Sequence, residues 1–179
     1  VRRVREAAAV SPRMGLAPLR PDWAQRIVAA SGVGPGDLVL DIGAGEGALT
    51  APLLDAGCRV IAVELHPGRL QLLRDRFADR DLTVVAADLR DLRLPRRPFR
   101  VVASPPYALS TDVVRLLLGS DRLHSAHLVL QRATARRLAE RPPRARHARR
   151  YQLSVGESVP RRAFRPPPQV DSSVLEVRR

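Results

Sequence analysis

The chain is 179 residues long, 45% of them hydrophobic, with 11 glycines, 16 prolines and one cysteine, which is the size and balance of one globular domain. Its formal charge is +13 and every one of its 31 basic residues is arginine, an excess that fits a metabolite-sized partner poorly and points to a polyanion such as nucleic acid. No stretch nears 18 uncharged apolar residues, which excludes a membrane-spanning helix. The opening "VRRVREAAAVSPRMG" lacks the apolar run of a secretory signal. Cys58 cannot form an internal disulfide and reads as a small buried residue. The four histidines show no metal-ligand spacing, so no metal and a cytoplasmic location are expected.

Residues 1–21 read as a basic N-terminal segment, and 22–179 as one domain in which strands and helices alternate. "RPDWAQRIVAASGVGPGD" is a helix, with Asp22 placed to cap it, Trp23, Ile27 and Ala30 on one face, and glycines ending it. "LVLDIG" is a short apolar strand and "EGALTAPLLDAG" a helix. "CRVIAVEL" is the second strand, and "PGRLQLLRDRFA" a helix with Pro67 near its first turn. "LTVVAAD" and "FRVVAS" are the next strands, and "STDVVRLLLG" a helix that Ser110 or Thr111 can cap. "SAHLVLQR" is a strand, "ATARRLAE" a helix, and "YQLSVGESV" and "SSVLEVRR" two final strands. Near-continuous Val, Leu and Ile in the early strands suits a parallel sheet covered on both faces, hence a three-layer α/β domain. Between residues 132 and 165 stand eleven arginines against Glu140 and Glu157, and within that span "RPPRARHARR" reads as an exposed basic loop.

The first strand runs into "DIGAGEG". Glycines at a strand-to-helix turn let a ligand approach the backbone and are expected to free amides at the helix start. Glu64 closes the second strand, where a carboxylate can accept both hydroxyls of a ribose. Asp88 closes the third, where a carboxylate can accept from an adenine amino group. The glycine spacing, with Asp41 two residues before Gly43, departs from the dinucleotide pattern. An adenosine without a pyrophosphate therefore fits best, which favours S-adenosylmethionine over NAD.

The fourth strand ends in "SPPY", residues 104–107. Consecutive prolines stop a strand and make a stiff turn. At the carboxyl edge of an open sheet that turn lies where ligands bind. The Ser104 hydroxyl and Pro105 carbonyl can accept from a planar amine, and Tyr107 can stack on the ring that bears it. Such a ledge suits methyl transfer to the exocyclic nitrogen of a base, with positioning supplying most of the catalysis. A base in a duplex must first leave its stack. Aromatic residues make up only 3% of the chain, which argues against a broad platform for single-stranded bases.

From about Trp23 onward the chain resembles the Erm and KsgA-like rRNA adenine N6-methyltransferases. The resemblance lies in "DIGAGEGALT", "VELHP", the ledge followed by "ALSTDVVR", "LVLQR" and "RRAFRPPPQVDSSVL", and it looks closer to Erm. It implies a Rossmann-like class I S-adenosylmethionine-dependent methyltransferase fold, with a mostly parallel seven-stranded sheet. It implies a cofactor site on Asp41, Gly43, Ala44, Gly45, Glu64, Leu65, Asp88, Leu89 and Ser104. It implies a target-base site on Ser104, Pro105, Pro106 and Tyr107, with Phe164 closing over the base. The implied partner is 23S rRNA, and the implied outcome is macrolide-type antibiotic resistance. The basic excess itself, on segments expected near the ledge, assigns the RNA contacts to Arg132, Arg136, Arg137, Arg144, Arg146, Arg149, Arg150, Arg161, Arg162 and Arg165, and a monomer is expected. Three features depart from the family. Ser104 stands where asparagine is usual, and Ser-Pro-Pro-Tyr also looks like the ledge of cytosine N4-methyltransferases. "GLAPL", residues 15–19, stands for a "GQNFL"-like motif near the methionine end of the cofactor. The resemblance stops at Arg179, so the family's C-terminal helical RNA-binding domain is expected to be absent. A catalytically impaired RNA-binding protein of the same fold, and an enzyme acting on another base such as cytosine N4, remain open alternatives.

Overall fold

The structure is a computed structural model that describes residues 17–143 and 149–179. Seven strands form one sheet: β1 (Leu38–Ile42), β2 (Arg59–Glu64), β3 (Leu82–Ala86), β4 (Phe99–Ala103), β5 (Leu123–Gln131), β6 (Gln152–Val159) and β7 (Ser172–Arg178). Their spatial order is β3-β2-β1-β4-β5-β7-β6. The pairings from β3 through β5 are parallel, and β7 runs antiparallel to both β5 and β6. This is the class I S-adenosylmethionine-dependent methyltransferase fold. The chain order reverses between β1 and β4, so a crevice opens beyond their carboxyl ends.

Among the described residues five helices cover the sheet: α1 (Pro21–Ser31), α2 (Thr50–Asp55), α3 (Pro67–Arg76), α4 (Ser110–Leu118) and α5 (Arg132–Glu140). The two-residue period of β1 divides the core. Leu38, Leu40 and Ile42 pack with Val113, Leu117 and Leu138 of α4 and α5. Val39 faces Ala24, Ile27, Leu53 and Leu73 of α1 to α3. Every residue of β1 is buried, which fixes the register of the central strand.

Local chemistry shifts several helix boundaries. Asp22 does not cap α1. Arg20 holds the N-cap position and Pro21 the first turn, because proline lacks the amide that a cap would satisfy. Ala30 is exposed, and the buried face is Ala24, Ile27, Val28 and Ser31. Half-buried Trp23 instead lies under the Arg26 guanidinium, 5.1 Å from the ring centre. α2 starts at Thr50, because Gly43 to Leu49 are spent on the turn. Neither Ser110 nor Thr111 caps α4; Leu109 holds that position, and the Ser110 hydroxyl donates back to the Tyr107 carbonyl at 2.8 Å. Cys58 is buried, its thiol 3.4 Å from the Gly34 carbonyl.

Candidate active site

A cavity at the carboxyl end of β1 is lined by Asp41, Gly43, Ala44, Gly45, Glu46, Ala48 and Leu49 from the turn into α2, by Ser104 after β4, and by Arg69 of α3. Ala17, Pro18 and Leu19 close it from the N-terminal side. Gly45 adopts φ +59° and Gly47 φ +89°. A Cβ on Gly47 would stand 2.8 Å from the Phe77 ring, so only glycine lets the turn lie this close to α3.

The turn does not present the free amides expected from its glycines. The amides of Gly43 and Ala44 both donate to the Val63 carbonyl, at 2.8 and 3.0 Å. The Gly45 amide donates to Glu64 Oε2 at 2.9 Å. Spent amides leave no cradle for a phosphate at this point, and the glycines act by thinning the wall of the cavity.

Glu64 is 7% exposed, and its Oε1 accepts the amides of Leu65 and His66 at 2.8 and 2.9 Å. These three bonds hold the carboxylate in one orientation at the tip of β2. Oε1 has both lone pairs engaged, and Oε2 keeps one for a ribose hydroxyl.

Asp41 is 1% exposed and accepts from the Thr50 hydroxyl at 2.7 Å. Burial pushes its carboxyl up to about 7; the nearby Glu64 carboxylate adds to the rise and the Thr50 hydrogen bonds oppose it. A buried carboxyl at the cavity wall suits the cationic end of an adenosyl sulfonium amino acid.

Asp88 is placed differently from the expectation. β3 ends at Ala86, and Asp88 caps a 3-10 turn over Leu89–Asp91. Both of its oxygens accept from the Arg90 side chain, at 3.0 and 2.8 Å, and one also takes the Arg90 amide. The Arg90 hydrogen bonds hold its carboxyl down at about 2. Contact with an adenine amino group therefore requires Asp88 to share itself with Arg90. Leu65 is 52% exposed, whereas Leu89 is buried in the core with Leu92 and Phe99.

The ledge leaves the sheet directly after Ala103. Pro105 is buried, Ser104 and Pro106 are half-buried, and Tyr107 opens a 3-10 turn over Tyr107–Leu109. Ser104 lines the same cavity as Gly43 and Gly45. The Tyr107 hydroxyl lies 2.7 Å from the Ser172 hydroxyl on β7.

Phe164 is not a free lid. Its ring is 3% exposed in the core with Ala24, Ile27, Val159 and Val174. Its backbone bridges Leu19, while the Arg20 and Arg165 amides donate to Ala163 and Pro18. Phe164 thus stands behind Leu19, a wall of the cavity, and covering a base would take its ring out of the core.

Among the arginines assigned to RNA, three also make hydrogen bonds within the protein, and two of these, Arg137 and Arg161, are exposed. The Arg132 guanidinium donates to Ser158 at 2.7 Å and lies 3.5 Å from Asp171. Arg161 donates to the Pro168 carbonyl at 2.7 Å, and Arg137 to Thr111 at 3.0 Å. Arg136, Arg149, Arg150, Arg162 and Arg165 are exposed. Arg144, Arg146 and residues 1–16 lie outside the described residues. Among the described residues no cluster of His, Cys, Asp or Glu could hold a metal ion, and no helix is long and apolar enough to cross a membrane.

Sequence reasoning missed Arg69, Thr50 and Ser172. Thr50 and Ser172 lay inside the quoted "DIGAGEGALT" and "RRAFRPPPQVDSSVL", but those stretches named no partner for either.

Comparison with known proteins agrees with this geometry. Residues 20–179 match the family described as ribosomal RNA adenine dimethylase. Ribosomal RNA small subunit methyltransferase A of Cupriavidus taiwanensis is 36% identical over 155 residues, covering 79% of this chain and 56% of its own. The mycinamicin-resistance protein MyrB of Micromonospora griseorubida is 35% identical over 145 residues, covering 79% of this chain and 46% of its own. The chain thus spans about half the length of these relatives. The crystal structure of the 23S rRNA methyltransferase ErmE superposes with a TM-score of 0.81 at 30% identity, over 90% of this chain and 69% of that one. With the match running from Arg20 to Arg179, the chain belongs to the ribosomal RNA adenine dimethylase family.

Proposed function

We propose that the chain is the catalytic unit of an S-adenosylmethionine-dependent rRNA adenine N6-methyltransferase that acts on 23S rRNA and confers macrolide-type resistance. The observation that carries this reading is that Ser104, the head of the Ser104–Tyr107 ledge, lines the cavity that holds Asp41, Gly43 and Gly45. The donor set fits the cofactor: Asp41 offers a buried carboxyl to a cation, and Glu64 offers the oriented free lone pair of Oε2 to a ribose hydroxyl. When bound, S-adenosylmethionine supplies the methyl group.

The chain's own residues then have three tasks. Ser104 and the Pro105 carbonyl accept the two hydrogens of the target amine and aim its nitrogen into the cavity. They also stabilise the positive charge that develops on that nitrogen. Tyr107 stacks on the base and limits its rotation. Exposed Arg136, Arg149, Arg150, Arg162 and Arg165 neutralise RNA phosphates, which gives affinity without choosing the sequence.

A second reading, favoured by the similarity to the small-subunit methyltransferase of Cupriavidus taiwanensis, places the target in small-subunit rRNA. Incubating the chain with tritiated cofactor and each deproteinised rRNA in turn tests both. Label in 23S rRNA supports the first reading, label in small-subunit rRNA the second, and label in neither refutes both.

A further inference from the structure

We infer that Ser172 is a positioning residue for the methyl transfer, fixing the plane of the Tyr107 ring through a hydroxyl–hydroxyl bond of 2.7 Å. The inference rests on the proposed role of Tyr107 as the stacking partner of the target base. The prolines at 105 and 106 stiffen the backbone of the ledge but leave the tyrosine its two side-chain torsions. A stacking platform works only if its plane is set before the base arrives, because a 1 Å misplacement of a reacting group costs far more than one contact.

Two bonds grip Tyr107 at opposite ends. Its carbonyl accepts from the Ser110 hydroxyl at 2.8 Å, which ties the main chain to the first turn of α4. Its phenol hydroxyl meets Ser172, 65 residues further along the chain. Ser172 is wholly buried and opens β7, where it pairs with Gln131 of β5 on one side and Val159 of β6 on the other. The anchor therefore sits where three strands meet, so it cannot follow the ring if the ring swings. The neighbouring Asp171 adds to this stiffness: its carbonyl accepts the Arg132 amide at 3.0 Å and its carboxylate the Arg161 amide at 3.2 Å.

This geometry also assigns the two sides of the tyrosine different duties. The hydroxyl is spent inward on the sheet, so the ring offers the base a face. A phenylalanine at 107 would keep that face and lose the tether. Tyr107 is half-buried, and burial pushes its phenol up while the Ser172 bond pulls it back down, so the tether has a signature independent of catalysis.

The test is a double-mutant cycle with two readouts. Circular dichroism first checks that each variant is folded; Tyr107→Phe leaves β7 untouched if Ser172→Ala is unstable. In methyl transfer to rRNA, Ser172→Ala and Tyr107→Phe should each lower kcat about tenfold, the worth of one hydrogen bond. Cofactor Kd should be unchanged, and the double variant should be no slower than either single one. The second readout is the alkaline absorbance titration of Tyr107 in a Tyr151→Phe background, which leaves one tyrosine. Ser172→Ala should move its midpoint upward. Parent-like kcat in Ser172→Ala, losses that add in the double variant, or an unmoved titration would each overturn the tether. If the parent transfers no methyl group at all, the proposed function fails, and the titration alone decides on the tether.

Discussion

Glu64 Oε2 accepts the amide of Gly45 at 2.9 Å across 19 residues of chain, while Oε1 of the same carboxylate holds Leu65 and His66. One side chain thus joins the glycine turn after β1 to the tip of β2, and the shape of the cavity depends on it. Glu64→Gln replaces one acceptor oxygen with an amide that opposes a backbone N–H. Loss of these charge-assisted bonds should cost about 1.5–3 kcal/mol, both in unfolding free energy and in cofactor affinity. Urea denaturation and calorimetric titration with S-adenosylhomocysteine measure the two; parent values in both would remove Glu64 from the site.

Asp41 links cofactor binding to protons. Its carboxyl stands at about 7, above the ordinary 3.8, so the folded state holds an extra proton between those values. The resulting stability is fully present below pH 4 and is lost as pH rises through 7. A cation in the cavity favours the carboxylate and reverses that shift. Binding at pH 6 should therefore release a proton, and cofactor affinity should strengthen from pH 6 to 8. Calorimetry in buffers of different ionisation enthalpy counts the proton. Asp41→Asn should abolish both the release and the pH dependence.

His127 on β5 is 3% exposed, and neither ring nitrogen finds a partner among the described residues. Burial holds its imidazole below the usual 6.5; the nearby Glu176 carboxylate opposes this, and Arg178 and Arg100 reinforce it. The unfolded chain takes up a proton that the folded one refuses. The His127 contribution to stability should thus be constant above about pH 6.5 and fall as pH drops below it, opposite in sign to that of Asp41. His127→Leu should flatten that fall in urea midpoints measured from pH 8 to 5; an unchanged slope would assign the acid sensitivity to other groups.

Serine at the head of the ledge is a shorter acceptor than the asparagine usual in the family. Ser104→Ala should lower kcat only a few-fold if the Pro105 carbonyl carries much of the alignment, and Ser104→Asn should raise it. Tyr107→Ala should lower kcat by about a hundredfold or more with cofactor affinity near normal, since stacking contributes about 1–3 kcal/mol per base and positioning adds to it. Single-turnover methylation of an rRNA fragment reads all three.

The sheet was legible because its strands are runs of Val, Leu and Ile, which only a doubly covered sheet can bury. The place of the site was legible too: Asp41, Gly43, Gly45 and Ser104 share one cavity because the topology brings the ends of β1 and β4 together. What escaped the sequence were choices between partners. Gly43 and Ala44 spend their amides on Val63, a bond that depends on the register of β2. Asp88 finds a cation two residues away in Arg90, a local pairing that an adenine contact would have to share. Phe164, which the resemblance places over the target base, bridges Leu19 with its backbone and is buried in the core. Ser172 meets Tyr107 only because β7 inserts between β5 and β6.

The most direct measurement of the central claim is nucleoside mass spectrometry of rRNA incubated with S-adenosylmethionine and the protein, with Tyr107→Ala as control. N6-methylated adenosine should appear at one site of 23S rRNA with the parent and be nearly absent with the variant. Methylated cytidine in its place, or equal methylation by parent and variant, would contradict the account.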